Sequence, residues 1–392
     1  MQNLPMAYIS FDIVPAPKGA AVHIEAFARA IATQYTPLHL VSVSPTTEQI
    51  PTFERWPQVH HTALPALGKT LLGRVLTFRR QLNQWLEGQR FRAIHVRSIY
   101  EGFPIAQQKQ ALCDLFILEI NGLPSIELKY RYPKVAEDDE LMYKLVAQED
   151  LCFAQADQVI TPSPLTKTYL IERGVAPHKI AVIPNGVDLE VFTYQVPRST
   201  LELRPLRLLY FGTLSAWQGV DLAIDALDLY GRDFPAVLTI LGPARPQQLR
   251  SLLRRIECLR QQENVQILGP VDQRQLAQQM HQADVILAPL KPNDRNCIQG
   301  CCPLKILEGM ASGTPVVTSD LEVVNALGEP ETHLLTGRPG SAKAIKDNLL
   351  QLRDNPKLRQ QLSTAARQQI ERLYTWSQST QALIDVYRQI GL

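Results

Sequence analysis

The sequence lacks a long apolar run and any strong excess of one charge. Its 392 residues include 40 Lys and Arg against 38 Asp and Glu, which gives a formal net charge of +2. A chain so close to neutral is not expected to bind nucleic acid through bulk electrostatic attraction. No apolar run reaches the roughly 20 residues that a membrane-spanning helix needs, so the sequence predicts none.

Cysteine is scarce, and its spacing suggests no metal. The chain has six cysteines, and its first five residues, MQNLP, lack the basic-then-apolar layout of a signal peptide. We therefore expect a cytoplasmic protein with reduced thiols. Cys297, Cys301 and Cys302 cluster, but their spacing matches no familiar zinc pattern and no histidine lies beside them, so we expect no metal site.

What the sequence does contain is an alternation of strand-like and helical runs in two blocks. The strand-like runs are Ala7–Ile13, Leu38–Val43, Ile94–Val96, Leu115–Ile120 and Gln158–Thr161 in the first block, and 207–211, 236–242, 264–268, 284–288 and 314–318 in the second. Helical patterns lie between them, and residues 193–206 read as a linker. This alternation predicts an α/β protein with two doubly wound parallel sheets, which bind ligands beyond the strand C-termini and in the cleft between the halves.

The most informative segment is residues 302–320, CPLKILEGMASGTPVVTSD. Pro303 at a predicted first helical position begins a helix that carries Glu308, and a Gly-Thr-Pro turn and a β-branched strand follow. The start of such a helix offers backbone N–H groups to a phosphate, and a carboxylate accepts hydrogen bonds from ribose hydroxyls. The pattern indicates a sugar-nucleotide site, although alone it also fits an ordinary α/β unit with an exposed glutamate.

Five further motifs accompany this segment in a characteristic order. They are IPNGVD at 183–188, YFGTL at 210–214, LGPV at 268–271, ADVILAP at 283–289 and YTW at 374–376. Together they resemble the family 4 type of retaining, nucleotide-sugar-dependent glycosyltransferases, from about residue 7 to the end of the chain. The resemblance implies a GT-B fold. Its expected parts are an acceptor-side Rossmann-like domain at 1–192, a linker at 193–206, a nucleotide-sugar-binding domain at 207–372 and a final helix within 373–392 that crosses back to the first domain.

The resemblance also implies roles for particular residues. Glu308 is expected to bind the ribose hydroxyls, and Gly19, beside Lys18, to lie near the sugar phosphate or the acceptor. Backbone groups are expected to contact the diphosphate at Cys301, Cys302, Pro303 and Leu304, and the base at Gly269, Pro270 and Val271.

Two cations that the family uses at the diphosphate are missing. Where the family has Gly-Arg-Leu and then a Lys-Gly pair, this chain has Thr213 after Gly212 and Gln218 before Gly219. Their loss removes several kcal/mol of transition-state stabilisation unless other bases replace them.

Other bases in the chain are candidates for this replacement. Lys305 and Arg295 are preferred because they flank the donor loop, although each also fits a solvated surface base. The further candidates are Arg245, Lys18 and Arg97.

Two more positions depart from the family pattern. Gly300 stands where the first glutamate of the family's pair is expected, so Gln299 or backbone groups are predicted to hold the donor sugar. Asn121 stands where the family has a catalytic histidine, and an amide donates a hydrogen bond but does not titrate near neutral pH.

On the acceptor side, a polar run follows a strand-like segment and reads either as acceptor contacts or as a solvated loop. Its members are Glu119, Asn121, Glu127, Lys129 and Arg131. The segment 66–92 combines six bases with an apolar component, which predicts either peripheral contact with an anionic membrane at its inner face or an ordinary amphipathic surface helix.

The sequence thus predicts a retaining, metal-independent glycosyltransferase that needs no cofactor. In the usual picture for such enzymes, the departing phosphate accepts the proton of the incoming hydroxyl, and no protein nucleophile is required. The donor is expected to be a UDP-, GDP- or ADP-linked sugar, and the acceptor a saccharide, a lipid-linked sugar or a small metabolite. The alternative is a protein that kept the nucleotide pocket and lost catalysis; a sugar-nucleotide epimerase of the same fold is less favoured.

Overall fold

The computed structural model describes residues 4–16, 18–44, 46, 50–56, 58–200 and 204–392, and it divides into two compact units. Unit 1 runs to Pro184 and also includes Ser377–Leu392, whereas unit 2 is Asn185–Trp376. The sequence prediction assigned residues 185–192 to the first domain; in the structure they belong to unit 2. Pro17, which precedes Lys18, and residues 201–203 of the predicted linker lie outside the described residues.

Unit 1 contains a sheet of eight strands in the described part of the chain. They are β1 (Met6–Ile13), β2 (Leu38–Val43), β3 (Ile50–Trp56), β4 (Val59–Leu64), β5 (Phe91–Val96), β6 (Cys113–Glu119), β7 (Gln158–Thr161) and β8 (Ile180–Val182). Their order in the sheet is β3-β4-β2-β1-β5-β6-β7-β8. Only β3 is antiparallel to its neighbour, β4. The order of the strands reverses between β1 and β5.

Helices connect these strands and cover the sheet. They are α1 (Gly19–Gln34), α2 (Leu71–Leu86), α3 (Ile99–Leu112), α4 (Pro124–Arg131), α5 (Asp139–Gln155) and α6 (Pro164–Glu172). Phe78 and Leu82 of α2 pack in one core cluster with Phe116 and Leu118 of β6. Because a parallel sheet is covered on both faces, its central strands are apolar throughout rather than at alternate positions.

The sequence analysis missed β3, β4 and β8 of this sheet. For β4 the reason is its two histidines. His60 and His61 interrupt the apolar pattern of VHHTAL, yet β4 pairs in parallel with β2 along its whole length. The buried His61 Nε2 lies 2.7 Å from the Ser42 hydroxyl oxygen, so the ring is accommodated inside the sheet by a hydrogen bond.

Unit 2 contains a sheet of six parallel strands in the order β11-β10-β9-β12-β13-β14. They are β9 (Leu206–Phe211), β10 (Ala236–Leu241), β11 (Val265–Leu268), β12 (Val285–Ala288), β13 (Val316–Ser319) and β14 (Leu335–Gly337). The prediction of two doubly wound, largely parallel sheets is confirmed. In unit 2 the strand order reverses between β9 and β12, and such reversals are where α/β sheets bind ligands.

The helices of unit 2 follow its strands in alternation. They are α7 (Val220–Gly231), α8 (Pro246–Cys258), α9 (Gln273–Gln282), α10 (Leu304–Ser312), α11 (Glu322–Asn325), α12 (Ala342–Asp354) and α13 (Pro356–Leu373). A single π-helical turn, Arg295–Gln299, precedes α10.

The last helix, α14 (Trp376–Gln389), packs almost entirely in unit 1. Its buried Tyr387 hydroxyl lies 2.7 Å from His95 Nδ1 at β5, and Arg92 donates a hydrogen bond to the Gly391 carbonyl. The chain therefore leaves unit 1 after Pro184 and returns to it at Ser377. No helix in the described ranges combines the length and the apolar character needed to cross a bilayer.

Replacing Gly219 by alanine should destabilise the protein. Gly219 has φ +72°, and a Cβ there would lie 1.9 Å from the Pro289 carbonyl oxygen. The left-handed conformation alone costs an L-residue about 1–2 kcal/mol, and the overlap adds to it. We expect Gly219→Ala to lower the urea midpoint of unfolding, whereas Gly231→Ala, at the end of α7 with no atom within 4 Å of its Cβ position, should not. Equal midpoints for the two variants would contradict this prediction.

Candidate functional site

The candidate site lies in unit 2, where the carboxyl ends of β9 and β12 meet. The two strands pair through Leu208 with Val285, and the loop after β9 packs against the loop after β12. The missing side chain of Gly219 allows its backbone to touch the Pro289 carbonyl, and Lys291 N donates a hydrogen bond to the Trp217 carbonyl. The reversal of strand order thus brings together two loops that are about 75 residues apart in sequence.

Lys305 brings a buried amine to this edge of the sheet. It lies in the first turn of α10, its residue is 7% exposed, and its Nζ is 4.1 Å from the centroid of the Tyr210 ring. The Cβ position at Gly212 lies 3.6 Å from Nζ, so the amine is in van der Waals contact with the turn after β9. Within the described part of the chain, Nζ has no hydrogen-bond partner. The ring gives it a cation–π contact but no acceptor.

Gln218 adds a second buried polar atom at the same place. Its Oε1 lies 3.8 Å from the position of a Cβ at Gly212 and finds no donor among the residues that the structure describes. Buried polar groups without partners are rare in folded proteins, and each costs about 1–3 kcal/mol. Two of them beside one glycine indicate a place where a polar ligand completes the structure.

Glu308 follows Lys305 by one turn on the same helix and is partly buried. Burial raises the pKa of Glu308 to about 8, and the Lys305 charge reduces the effect. Burial likewise lowers the pKa of Lys305 to about 7, and the Glu308 charge opposes the fall. Burial thus shifts both side chains towards their uncharged forms.

The start of α10 differs by one residue from the sequence prediction. Pro303 has φ −71° and ψ 104°, an extended conformation, so it precedes the first helical residue, Leu304, instead of being that residue. Its side chain makes no capping hydrogen bond. The first turn of α10 therefore presents backbone N–H groups that a side-chain cap does not occupy, beside Lys305.

The other residues that the sequence prediction assigned to the donor loop lie just before α10. Arg295 stacks its guanidinium 3.9 Å from the centroid of the Trp217 ring. The Gln299 side chain is fully buried and donates to the Gly300 carbonyl at 3.4 Å, while Gly300 has φ +83°. Cys301 is buried, with its thiol 3.8 Å from Asn296 Oδ1.

The remaining predicted positions of unit 2 lie at the same edge of the sheet. Gly269, Pro270 and Val271 link β11 to α9, and the first two are exposed. Thr213 is exposed after β9, and Arg245 is exposed directly before α8. Because β11 is two strands away from β9, the predicted base contact lies toward the outer part of this edge.

In unit 1, Glu119 is the centre of a buried polar cluster at the carboxyl end of β6. The residue is 1% exposed, and Oε1 lies 2.9 Å from His23 Nε2 and 3.4 Å from Arg97 Nε. Oε2 lies 3.2 Å from the Tyr8 hydroxyl and 3.4 Å from His95 Nε2. Burial alone would raise the pKa of Glu119, but the two histidines and Arg97 hold it well below its usual range. Its carboxylate is thus engaged inside unit 1.

Two residues named by the sequence prediction, Asn121 and Arg97, belong to the Glu119 cluster. Asn121 donates to Glu119 Oε1, and Arg97 also pairs with Asp12 at 2.9 Å. The sequence analysis missed Asp12, Tyr8 and His95, because each looks like an isolated polar residue within an apolar strand.

The remaining first-domain candidates lie in loops and at helix ends. Gly19 is the first residue of α1, and Lys18 precedes it in an extended conformation. The Glu127 carboxylate packs over Gly122, where a Cβ would lie 2.2 Å from Oε1. Arg131 is exposed at the end of α4, with its guanidinium 5.5 Å from the Tyr132 ring centroid.

The basic segment 66–92 is largely engaged within unit 1. Four of its six bases contact the unit itself: Arg74 the Ala66 carbonyl, Arg79 the Tyr100 carbonyl, Arg90 the Asp114 carboxylate and Arg92 the Gly391 carbonyl. Lys69 and Arg80 are exposed, together with Leu72 and Leu76, which are 57% and 52% exposed.

Comparison with protein families matches both halves of the chain. The model described as Glycosyltransferase Family 4 matches residues 17–191, and the one described as Glycosyl transferases group 1 matches residues 205–355. The phosphatidyl-myo-inositol mannosyltransferase of Mycobacterium tuberculosis (strain H37Rv) is 30% identical over 215 residues, which are 53% of this chain and 54% of that protein. Glycogen synthase of the same strain is 29% identical over 249 residues, which are 62% and 56% of the two chains. The chain spans about half the length of these curated relatives.

Two solved structures illustrate the fold. The sucrose-phosphate synthase from Thermosynechococcus elongatus matches with a TM-score of 0.82 at 20% identity and covers 99% of both chains. Anabaena HepE in complex with UDP-glucose matches with a TM-score of 0.74 at 15% identity, over 98% of this chain and 99% of that one. These likenesses confirm the GT-B fold that the sequence motifs predict.

The buried amine of Lys305 should make stability depend on pH in a defined window. Its pKa is about 7 in the folded protein and about 10.4 in an unfolded chain. Between these values the unfolded state binds more protons, so the free energy of unfolding rises with pH by up to about 1.4 kcal/mol per pH unit. Below pH 7 the amine is protonated in both states, and this rise is absent.

We expect this rise when Glu308→Gln is compared with the double variant Glu308→Gln/Lys305→Met in urea titrations from pH 6 to pH 9. The shared glutamine removes the opposing titration of Glu308. Parallel pH profiles for the two proteins would show that Lys305 is not held neutral.

Proposed function

Because the chain belongs to the family 4 type of glycosyltransferases, we propose that it transfers a sugar from a nucleoside-diphosphate sugar to a hydroxyl acceptor, with retention of configuration and without a metal. The observation that carries this proposal is the buried amine of Lys305, one turn before Glu308 on α10, at the carboxyl ends of β9 and β12. A nucleoside diphosphate supplies what both side chains lack, because its phosphates are anionic and its ribose carries hydroxyl groups.

In the proposed complex, each group at the start of α10 has a separate task. The backbone N–H groups of the first turn and the Lys305 ammonium bind the diphosphate, and the Glu308 carboxylate accepts hydrogen bonds from the ribose. Negative charge near Nζ raises the pKa of Lys305, so the amine becomes fully charged when the ligand is present. Lys305 thereby takes over the charge that an arginine at 213 or a lysine at 218 supplies in the family pattern.

The chemical step follows from this arrangement. The bond between the anomeric carbon and the phosphate oxygen breaks, and Lys305 and the helix start stabilise the charge that develops on the departing diphosphate. A phosphate oxygen takes the proton of the acceptor hydroxyl on the same face of the sugar, and the acceptor oxygen bonds to the anomeric carbon. The protein orients both substrates and needs no nucleophile of its own.

The relatives support the donor class and leave the base and sugar open. The solved HepE complex contains UDP-glucose, and the curated relatives include a mannosyltransferase and a glycogen synthase. The first experiment is therefore a thermal-shift titration with UDP, GDP, ADP and their sugar conjugates. A ligand that binds only the folded protein raises its melting temperature with concentration, so a selective rise would identify the base.

The second candidate function is nucleotide-sugar binding without turnover. Thr213 and Gln218 favour it, because neither carries the charge that the family places at these positions. Hydrolysis or transfer of the sugar from the donor identified by thermal shift would exclude it. A saturable thermal shift with no turnover on any acceptor class would support it.

Lys305 and Glu308 should contribute to different parts of the ligand. We expect Lys305→Met to weaken binding of the nucleoside diphosphate by about 1.5–3 kcal/mol, which is the range of a hydrogen bond to a charged group. The affinity for the nucleoside, which lacks the phosphates, should stay unchanged. Glu308→Gln should weaken binding of both the nucleoside and the nucleoside diphosphate. Isothermal titration calorimetry at pH 7 measures all four affinities.

The control for charge alone is Lys346→Met, which removes a lysine that pairs with Asp233 at 2.5 Å. It should bind both ligands as the unsubstituted protein does. If Lys305→Met binds the diphosphate as well as Lys346→Met does, the diphosphate contact lies elsewhere.

Peripheral contact with an anionic membrane is part of the same proposal. With four bases of segment 66–92 engaged in unit 1, the contact depends on the exposed Leu72 and Leu76 and on the cations Lys69 and Arg80. We expect Leu72→Gln/Leu76→Gln to reduce cosedimentation with vesicles of phosphatidylglycerol and phosphatidylcholine, and salt to reduce it further. Equal sedimentation of the variant and the unsubstituted protein would contradict this contact.

A further inference from the structure

Asn185, in the IPNGVD motif, contacts the donor loop directly. Its Nδ2 donates a hydrogen bond to the Cys302 carbonyl oxygen at 2.8 Å, between residues 117 positions apart in sequence. The asparagine is 9% exposed. Burial raises the pKa of the Cys302 thiol to about 12, and hydrogen bonds from the backbone and side chain of Asn185 partly offset this rise. Asn185 therefore holds the Cys302 carbonyl.

The backbone next to Asn185 is itself fixed. Val187 N donates to the Tyr374 carbonyl at 2.8 Å, and Trp376 N donates to the Val187 carbonyl at 3.4 Å. A Cβ at Gly186 would lie 2.4 Å from Trp376 N, so the two segments touch through their backbones and only glycine fits between them. Residues 185–188 of the IPNGVD motif and the YTW motif thus form one support inside unit 2, from which Asn185 reaches the donor loop.

The peptide that Asn185 holds has no other way to be anchored through its own hydrogen bonds. Cys302 precedes Pro303, and a peptide that ends in proline has no N–H group, so its carbonyl oxygen is its only hydrogen-bonding atom. Asn185 occupies that atom. The next residue, Leu304, begins α10. The Cys302–Pro303 peptide therefore leads directly into the first turn of α10.

We propose that Asn185 is a positioning residue for nucleotide binding: its amide fixes the Cys302–Pro303 peptide so that α10 presents its first N–H groups, Lys305 and Glu308 in one arrangement. The inference rests on the proposed nucleotide-binding function of unit 2. It gives a role to the IPNGVD motif, to which the proposed function assigns no contact with the substrate.

The test is Asn185→Asp, which keeps the shape of the side chain and replaces the Nδ2 amide donor by a carboxylate oxygen. At pH 8 the carboxylate faces the Cys302 carbonyl, and we expect the dissociation constant for the nucleoside diphosphate that raises the melting temperature most to increase at least tenfold. At pH 5.5 a protonated aspartic acid again donates to the carbonyl. The loss relative to the unsubstituted protein at the same pH should therefore shrink, which a general loss of stability would not produce.

Asn348→Asp is the matched control, because Asn348 Nδ2 also donates to a backbone carbonyl in unit 2, that of Thr336, at 3.0 Å. It should leave the affinity for the nucleotide unchanged at both pH values. The positioning role is overturned if Asn185→Asp binds as tightly as the unsubstituted protein at pH 8, or if both substitutions weaken binding equally.

Hydrogen exchange of the ligand-free protein separates this inference from the proposed function. Asn185→Asp should accelerate exchange of the amides of Leu304–Glu308 relative to Asn348→Asp, while amides in the central strand β9 exchange at equal rates in both variants. If the unsubstituted protein binds none of UDP, GDP and ADP, the proposed function fails, and the exchange rates still decide whether Asn185 positions α10. Equal exchange at α10 in the two variants overturns the inference.

Discussion

One buried amine in unit 2 has no hydrogen-bond acceptor in the part of the chain that the structure describes, and the candidate site depends on it. Lys305 places Nζ over the Tyr210 ring, where burial lowers the pKa of the amine to about 7. A protein gains nothing in folding from such a group, because desolvation of an unpaired amine costs free energy. Beside it, Gln218 Oε1 has no donor among the residues that the structure describes, and Glu308 is protonated more readily than a solvated carboxylate.

Unit 1 also buries an ionisable side chain, but there the side chain has polar partners. Glu119 is buried more deeply than Lys305, but two histidines, an arginine, a tyrosine hydroxyl and an asparagine surround it, and its pKa lies well below the usual range. Its charge is satisfied within the fold, whereas that of Lys305 is not. The contrast explains why we assign ligand binding to the edge of unit 2 and a supporting role to Glu119, with Arg97 and Asn121 held beside it.

In this chain the positive charge near the end of β9 comes from a different element than in the family pattern. Residues 213 and 218 follow β9 and carry no charge, while Lys305 arrives at the same place from α10. The exchange is possible because the reversal of strand order brings the loop after β9 and the start of α10 to one edge of the sheet. Asn185 then becomes important, since a cation on α10 is placed correctly only if the helix itself is.

The sequence by itself determined the α/β class, the two parallel sheets and the segment that carries Glu308, because buried parallel strands are continuous apolar runs and helix starts have local signals. It missed β4, whose histidines conceal its burial, and it placed Pro303 one residue too far into the helix. It named Lys305 and Arg295 as equivalent replacements for the missing cations. Only the tertiary structure separated them, because Arg295 stacks on Trp217 while Lys305 lies buried against Tyr210 with no acceptor among the described residues. The contacts of Glu119 and Asn185 were likewise decided by the fold, since each joins residues far apart in sequence, and only the packed chain determines which polar groups meet.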